Sequence, residues 1–363
     1  MSRIVAPVAV RSVVTPSGRV SRPEAGDGPT HPDRETKMQR RQFIRTAAGL
    51  ATFGAFSGAL PGIAQATIDV TTATEGGALD AAAFHAARKF VATPFGRIAM
   101  VERGAGAAAL FLHGFPLNGF QWRGALERLS PHRRCIAPDF LGLGYTEVAE
   151  GQDVAPTAQV GMLAALMDAL SIDRADLVAN DSGGAVAQLF LARHPQRVRS
   201  LLLTNCDTEI DCPPPALKPV IELARTGQFV AQWLAPWLAD KTLARSPEGL
   251  GGMTFTFPAN LADETIDMYL APLVRNAART HAYAVALDSN VLAGIEATLA
   301  RSNAPARIAW GTGDTIFSPG SPAYLDRTLA HSQGVLHVQG AKLFFPEEFP
   351  GLIAGEARKL WRI

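Results

Sequence analysis

The chain has 363 residues, 47% of them hydrophobic, with 34 Lys and Arg against 33 Asp and Glu for a formal net charge of +1. That length and apolar content bury the core of one large domain or two small ones. The balanced charge, with no basic block beyond the amino-terminal region, excludes nucleic acid as an expected partner.

Residues 1–37 are rich in Pro, Arg, Ser and Gly and lack periodicity, as in a disordered leader or an over-extended start upstream of Met38. Residues 38–66 read as a twin-arginine export signal: Arg40-Arg41 precede an apolar, small-residue stretch that closes on Ala64-Gln65-Ala66, a cleavage site of the A-x-A form. Stretch 46–64 is rich in Gly and Ala and broken by Pro61, so it makes a poor permanent span. The mature protein is expected to begin near Ala66, to hold no stable membrane span, and to be periplasmic or secreted. Of three cysteines, Cys135 lies in an apolar strand pattern and reads as an inert core residue. Export would permit a disulfide between Cys206 and Cys212, which their spacing alone does not establish.

Residues 67–87 form a mixed lead-in, and 90–101 two strands joined at Pro94-Phe95-Gly96, an edge hairpin. Residues 107–112 are continuously apolar, as in a strand buried on both faces of a parallel sheet, and end in His113-Gly114-Phe115-Pro116. A helix over 121–129, a strand over 134–137, an Asp139-x-x-Gly142-x-Gly144 turn and a helix over 157–170 follow. The apolar run Leu177-Val178-Ala179 then stops at Asn180-Asp181-Ser182-Gly183-Gly184, and a small-residue helix begins at once.

A turn this tight strains its central residue and presents that side chain above the sheet, provided the residues two before and two after are small. Ala179 and Gly183 are that pair, so Asp181 is presented; with Ser182 at the apex the preceding member would be the larger Asn180. The competing reading is an ordinary Asn/Gly turn in which Asp181 caps the helix. Another buried strand covers 198–204, helices without strands fill 206–296 after Pro213-Pro214-Pro215, and the sheet resumes over 306–310. Such alternation implies a parallel sheet, which binds ligands outside the carboxyl ends of its strands, where Asp181, Phe115 and Ser182 all fall.

The elbow, the His-Gly loop, the Asp139 turn and the strand end Ala309-Trp310-Gly311-Thr312-Gly313-Asp314 together resemble the α/β-hydrolase fold, in the Asp-nucleophile branch of haloalkane dehalogenases and epoxide hydrolases. The resemblance implies a mostly parallel eight-stranded sheet flanked by helices. Residues 67–205 and 297–363 would form the core, and 206–296 an inserted helical cap whose apolar underside makes the substrate pocket. It implies Asp181 as the nucleophile that forms an alkyl ester. The backbone N–H groups of Phe115 and Ser182 would be the anion donors, and Asp314 the acid that orients a base, with Asp207 the second candidate. It gives His113 a structural role in its loop, and it implies no cofactor and no metal.

The family's catalytic His has no counterpart. Aligning the downstream Glu347-Glu348 and Pro350 puts Leu343 in its place. His281, in the cap, is the preferred substitute base, and Lys342 serves only if burial lowers its pKa; His337 lies within a strand, and His132, His194 and His331 lie away from the catalytic edge. Ser182 and Phe115 also stand where dehalogenases carry Trp and Asn donors to the halide, whereas Tyr269 and Tyr283 stand in the cap as epoxide hydrolases require. The expected function is hydrolysis of small apolar substrates with a C–X or strained C–O bond. The alternatives are a non-hydrolytic or stalled relative that binds without turnover, and a carboxylester hydrolase using Ser182.

Overall fold

Nine strands among the described residues form one sheet: β1 (Ala66–Asp69), β2 (Arg88–Thr93), β3 (Gly96–Arg103), β4 (Ala108–Leu112), β5 (Arg134–Pro138), β6 (Ala175–Asp181), β7 (Val198–Cys206), β8 (Ala306–Gly311) and β9 (Ser332–Gln339). The structure is a computed structural model that describes residues 66–69 and 79–363; the leader and, apart from Ala66, the export signal lie outside the described residues. The order is β1-β9-β8-β7-β6-β4-β5-β3-β2. Only β3 runs against its neighbours. The mostly parallel sheet is therefore as expected, with β1 added beside β9 in the register Ala66 to Leu336.

Burial explains the pattern. Every residue of β4 and β6 is buried, which is why β4 and the Leu177-Val178-Ala179 centre of β6 read as apolar runs. The edge strand β2 alternates exposed and half-buried positions from Phe90 to Thr93. Its hairpin turns at Gly96, where φ is +119° and a Cβ would stand 2.2 Å from the Glu147 carbonyl oxygen, so only glycine fits.

β4 lies between β5 and β6. The chain leaves β4 toward one edge of the sheet and leaves β6 toward the other. Such a switch opens a crevice at the strands' carboxyl ends, between the loop after β4 and the turn after β6. On the faces, helix Arg123–Leu129 packs with the carboxyl-terminal helix Pro350–Trp361, and helix Pro156–Ala169 with helix Ser182–Arg193.

Between β7 and β8 the described chain is helical, without a strand. Two neighbouring carboxylates tie this cap down. Glu347 accepts a hydrogen bond from Arg123 at 2.7 Å and one from the Tyr269 hydroxyl at 2.6 Å, while Glu348 accepts the N–H groups of Thr256 and Phe257, each at 2.8 Å. Tyr269, one of the two cap tyrosines considered for epoxide chemistry, fastens the cap to the core. The Glu347 and Arg123 side chains are 5% and 19% exposed, so removing one leaves a buried charge. Glu347→Ala is expected to lower stability by about 3–5 kcal/mol in urea unfolding, and Glu347→Gln by less. Cys206 and Cys212 are both free thiols. Among the described residues no helix is long and apolar enough to cross a membrane.

Candidate active site

Asp181 ends β6 with φ 55° and ψ −135°, a left-handed backbone that a non-glycine residue adopts only under strain. Its neighbours make room for it. A Cβ on Gly114 would lie 2.2 Å from the Asp181 Cβ, one on Gly183 would lie 2.5 Å from the Leu112 and His113 carbonyl oxygens, and one on Gly184 would lie 2.3 Å from the Cys206 Cβ.

The Asp181 carboxylate points at the crevice. Its Oδ1 accepts the Phe115 N–H at 2.9 Å and the Ser182 N–H at 2.5 Å. A capping side chain bonds the second or third N–H of its helix, here Gly183 or Gly184. Asp181 bonds the first, and a loop 66 residues away in sequence, which is not the capping arrangement. Ser182 starts the helix below the apex, 2% exposed, with its Oγ 3.2 Å from the Tyr283 hydroxyl.

Above Asp181 lies a cavity of about 80 Å³ walled by Phe115, Phe229, Trp233, Trp237, Met253 and Leu343, among others. Thr254 is its one other hydroxyl or carboxyl side chain besides Asp181. Burial in this wall pushes the Asp181 carboxyl up to about 6 although its two N–H donors favour the charged form. A larger cleft of about 190 Å³, lined by Asp80, Arg123, Phe257 and Glu347, lies at the seam of cap and core and contains none of the elbow residues.

The α/β-hydrolase fold family model matches residues 109–349, about two thirds of the chain. The chain belongs to the α/β-hydrolase fold family. It is 42% identical over 103 residues to the 2-hydroxy-6-oxo-2,4-heptadienoate hydrolase of Pseudomonas putida, covering 28% of this chain and 37% of that one. It is 32% identical over 176 residues to a haloalkane dehalogenase of Agrobacterium fabrum, covering 45% and 57%. The matched part thus spans between about a third and just over half of these relatives' length. Among solved structures, a haloalkane dehalogenase from Bradyrhizobium elkani matches with a TM-score of 0.60 at 25% identity, over 76% of this chain and 98% of that one. An epoxide hydrolase without ligand matches with a TM-score of 0.62 over the same shares at 17% identity, a likeness of fold alone.

In this α/β-hydrolase the acidic groups gather around the elbow, whereas among the described residues no imidazole lines the cavity above it. Asp314 accepts the Asn205 side-chain amide at Oδ2 and the Ile316 N–H at Oδ1, both at 2.8 Å, and burial pushes it up to about 6. Asp207 is driven well above the usual carboxylate range, first by burial and then by the charges of Asp181 and Asp211. His281 stands on cap helix Ala277–Ala286, but its Nε2 accepts the Val230 N–H at 3.1 Å, and it is absent from the cavity wall. Burial also lowers its pKa, which keeps it a neutral acceptor there. His113 donates from Nδ1 to the Gly114 carbonyl at 2.9 Å and accepts the Phe140 N–H at Nε2 at 3.0 Å, bracing the loop. The Lys342 ammonium donates to the Gly252 carbonyl at 2.5 Å, outside the cavity lining.

Two amides with no expected role in the chemistry hold the site together. Asn180 accepts from Gln121 at 2.6 Å and donates to the carbonyls of Asn205 and Leu343, each at 3.1 Å. Asn205 in turn grips Gly311 through both ends of its amide while bonding Asp314. Leu343 is thereby drawn to the elbow. The only signal for either residue was a polar side chain at the end of an otherwise apolar strand.

Proposed function

We propose that this protein is a hydrolase of small, neutral, apolar molecules that uses Asp181 as a nucleophile on carbon, in the manner of a dehalogenase or epoxide hydrolase. The observation that carries the reading is the Asp181 carboxylate at the elbow apex with Oδ1 held between two backbone N–H donors. Its second oxygen attacks the substrate carbon, and the C–X or strained C–O bond breaks with its electron pair leaving on X or on an oxygen that then takes a proton from solvent. Oδ1 becomes the carbonyl oxygen of the resulting ester. When water adds to that carbonyl carbon, the developing charge falls on Oδ1, where the Phe115 and Ser182 N–H groups await it. Collapse releases the alcohol, and the regenerated acid loses its proton to solvent. The apolar wall suits an uncharged substrate, since a charge would be desolvated there without a partner.

Among the described residues no imidazole borders the cavity, and without one water addition forgoes the general base that typically contributes about 10²–10⁴-fold. Ester formation is therefore expected to outrun its hydrolysis. The test is to incubate the protein with bromoalkanes and with epoxides, weigh it intact, and map any added mass. An adduct on Asp181 is the expected result; steady product release without an adduct would mean that another group supplies the base. Against the Ser182 alternative stand its place below the apex and its hydroxyl engaged with Tyr283. Cleavage of p-nitrophenyl esters that survives Asp181→Asn and vanishes in Ser182→Ala would overturn the proposal.

The adduct should also report the nucleophile's titration. Only the ionised carboxylate attacks, so the rate of mass gain should fall as pH drops through about 6 and level off above it. A rate constant from pH 4.5 to pH 8 would contradict this.

A further inference from the structure

Tyr283 touches both residues that supply the N–H donors to Asp181. Its ring stacks on Phe115, with centroids 5.5 Å apart and planes at 24°, and its hydroxyl lies 3.2 Å from Ser182 Oγ. The side chain is fully buried. Its floor is Gly142 of the Asp139 turn, where a Cβ would come within 3.5 Å of the ring. Phe115 borders the cavity and Tyr283 does not, so the phenol stands off from the substrate space rather than facing it. This is a different place from that of a tyrosine donating a proton to an opening epoxide.

We propose that Tyr283 is a positioning residue through which the cap sets the anion cradle: the ring fixes the Phe115 loop and the hydroxyl fixes Ser182. The proposal rests on the reading of Asp181 as nucleophile. The phenol holds Ser182 by its hydroxyl, and the backbone N–H of that same residue donates to Asp181 Oδ1 at 2.5 Å. Helix Ala277–Ala286, which carries Tyr283, thus bears on both donors to Oδ1 from outside the cavity lining.

The cradle matters most when charge builds on Oδ1 during water addition, and less in the attack that forms the ester. Tyr283→Phe, which keeps the stack and loses the hydroxyl, should therefore leave the rate of adduct formation within about threefold and slow adduct decay by about tenfold, a fraction of what losing a whole cradle donor costs. A second readout needs no turnover. The Asp181 carboxyl carbon, assigned by its loss in Asp181→Asn, should titrate higher in Tyr283→Phe by about 0.5 pH unit, as expected when an N–H donor to the charged form is less firmly placed. Ser182→Ala should give a shift at least as large, and the double variant no more than Ser182→Ala alone. Equal decay with an unmoved titration, or shifts that simply add, would overturn the proposal. Failure of the wild-type protein to form any Asp181 adduct would sink the nucleophile reading instead, and the titration would still decide whether Tyr283 acts on Asp181.

Discussion

Asp181→Asn abolishes the adduct and, at pH 8, makes the protein more stable. The first effect follows from the chemistry: an amide nitrogen or oxygen is too poor a nucleophile to replace a carboxylate, so capture should fall by at least about 10³-fold, the loss typical when an acting group is deleted. The second follows from burial. The carboxyl titrates near its ordinary 3.8 in the unfolded chain and near about 6 in the folded protein, so the folded state holds the proton more tightly. A raised acid is harmless below the unfolded value, where both states are protonated. Its cost builds as pH climbs from the unfolded value to the folded one and is complete above it. Above that it amounts to about 3 kcal/mol, from roughly 1.4 kcal/mol per pH unit of difference. Asn removes the cost and can keep its amide oxygen between the Phe115 and Ser182 donors. Urea unfolding should show the variant ahead of the wild type at pH 8, with the advantage vanishing near pH 4. Equal stabilities at pH 8 would mean that the carboxylate is not desolvated in the folded protein, and the nucleophile would lose its enclosed setting.

Leu343→His should turn slow release into turnover. Leu343 lines the cavity with Asp181, and its backbone carbonyl is held by Asn180, so a new side chain starts from a fixed point. Asp314 lies near enough for its titration to feel the Asp181 charge and has already been oriented by Asn205. An imidazole between them would have a carboxylate to hold one nitrogen and a water to activate with the other. Adduct decay is expected to accelerate by about 10²–10⁴-fold, the range of a positioned general base. The added polar ring in an apolar wall costs about 1–3 kcal/mol where it lacks a partner, so the gain should shrink on adding Asp314→Asn. Leu343→Phe serves as the control for shape. Unchanged decay in Leu343→His, with the protein folded, would remove Asp314 from the role of orienting acid.

The sequence by itself determined the parts whose cause is local. Apolar runs marked β4 and the centre of β6 because both faces of a central parallel strand are covered. Small residues around Asp181 marked the elbow because only they clear the adjoining strand and loop, and the observed φ of 55° is the strain that they permit. Tertiary structure decided what each polar side chain faces, because that depends on partners far along the chain. Tyr269 and Tyr283 looked alike in a helical stretch. One bonds Glu347, 78 residues on, and the other bonds Ser182, 101 residues back. His281 shared a short helix with Tyr283 yet points its nitrogen at Val230, since residues two apart on a helix face different ways. Asn180 and Asn205, silent as isolated amides, acquire their meaning only where β6, β7 and the Leu343 loop meet. Packing alone brings those three segments together.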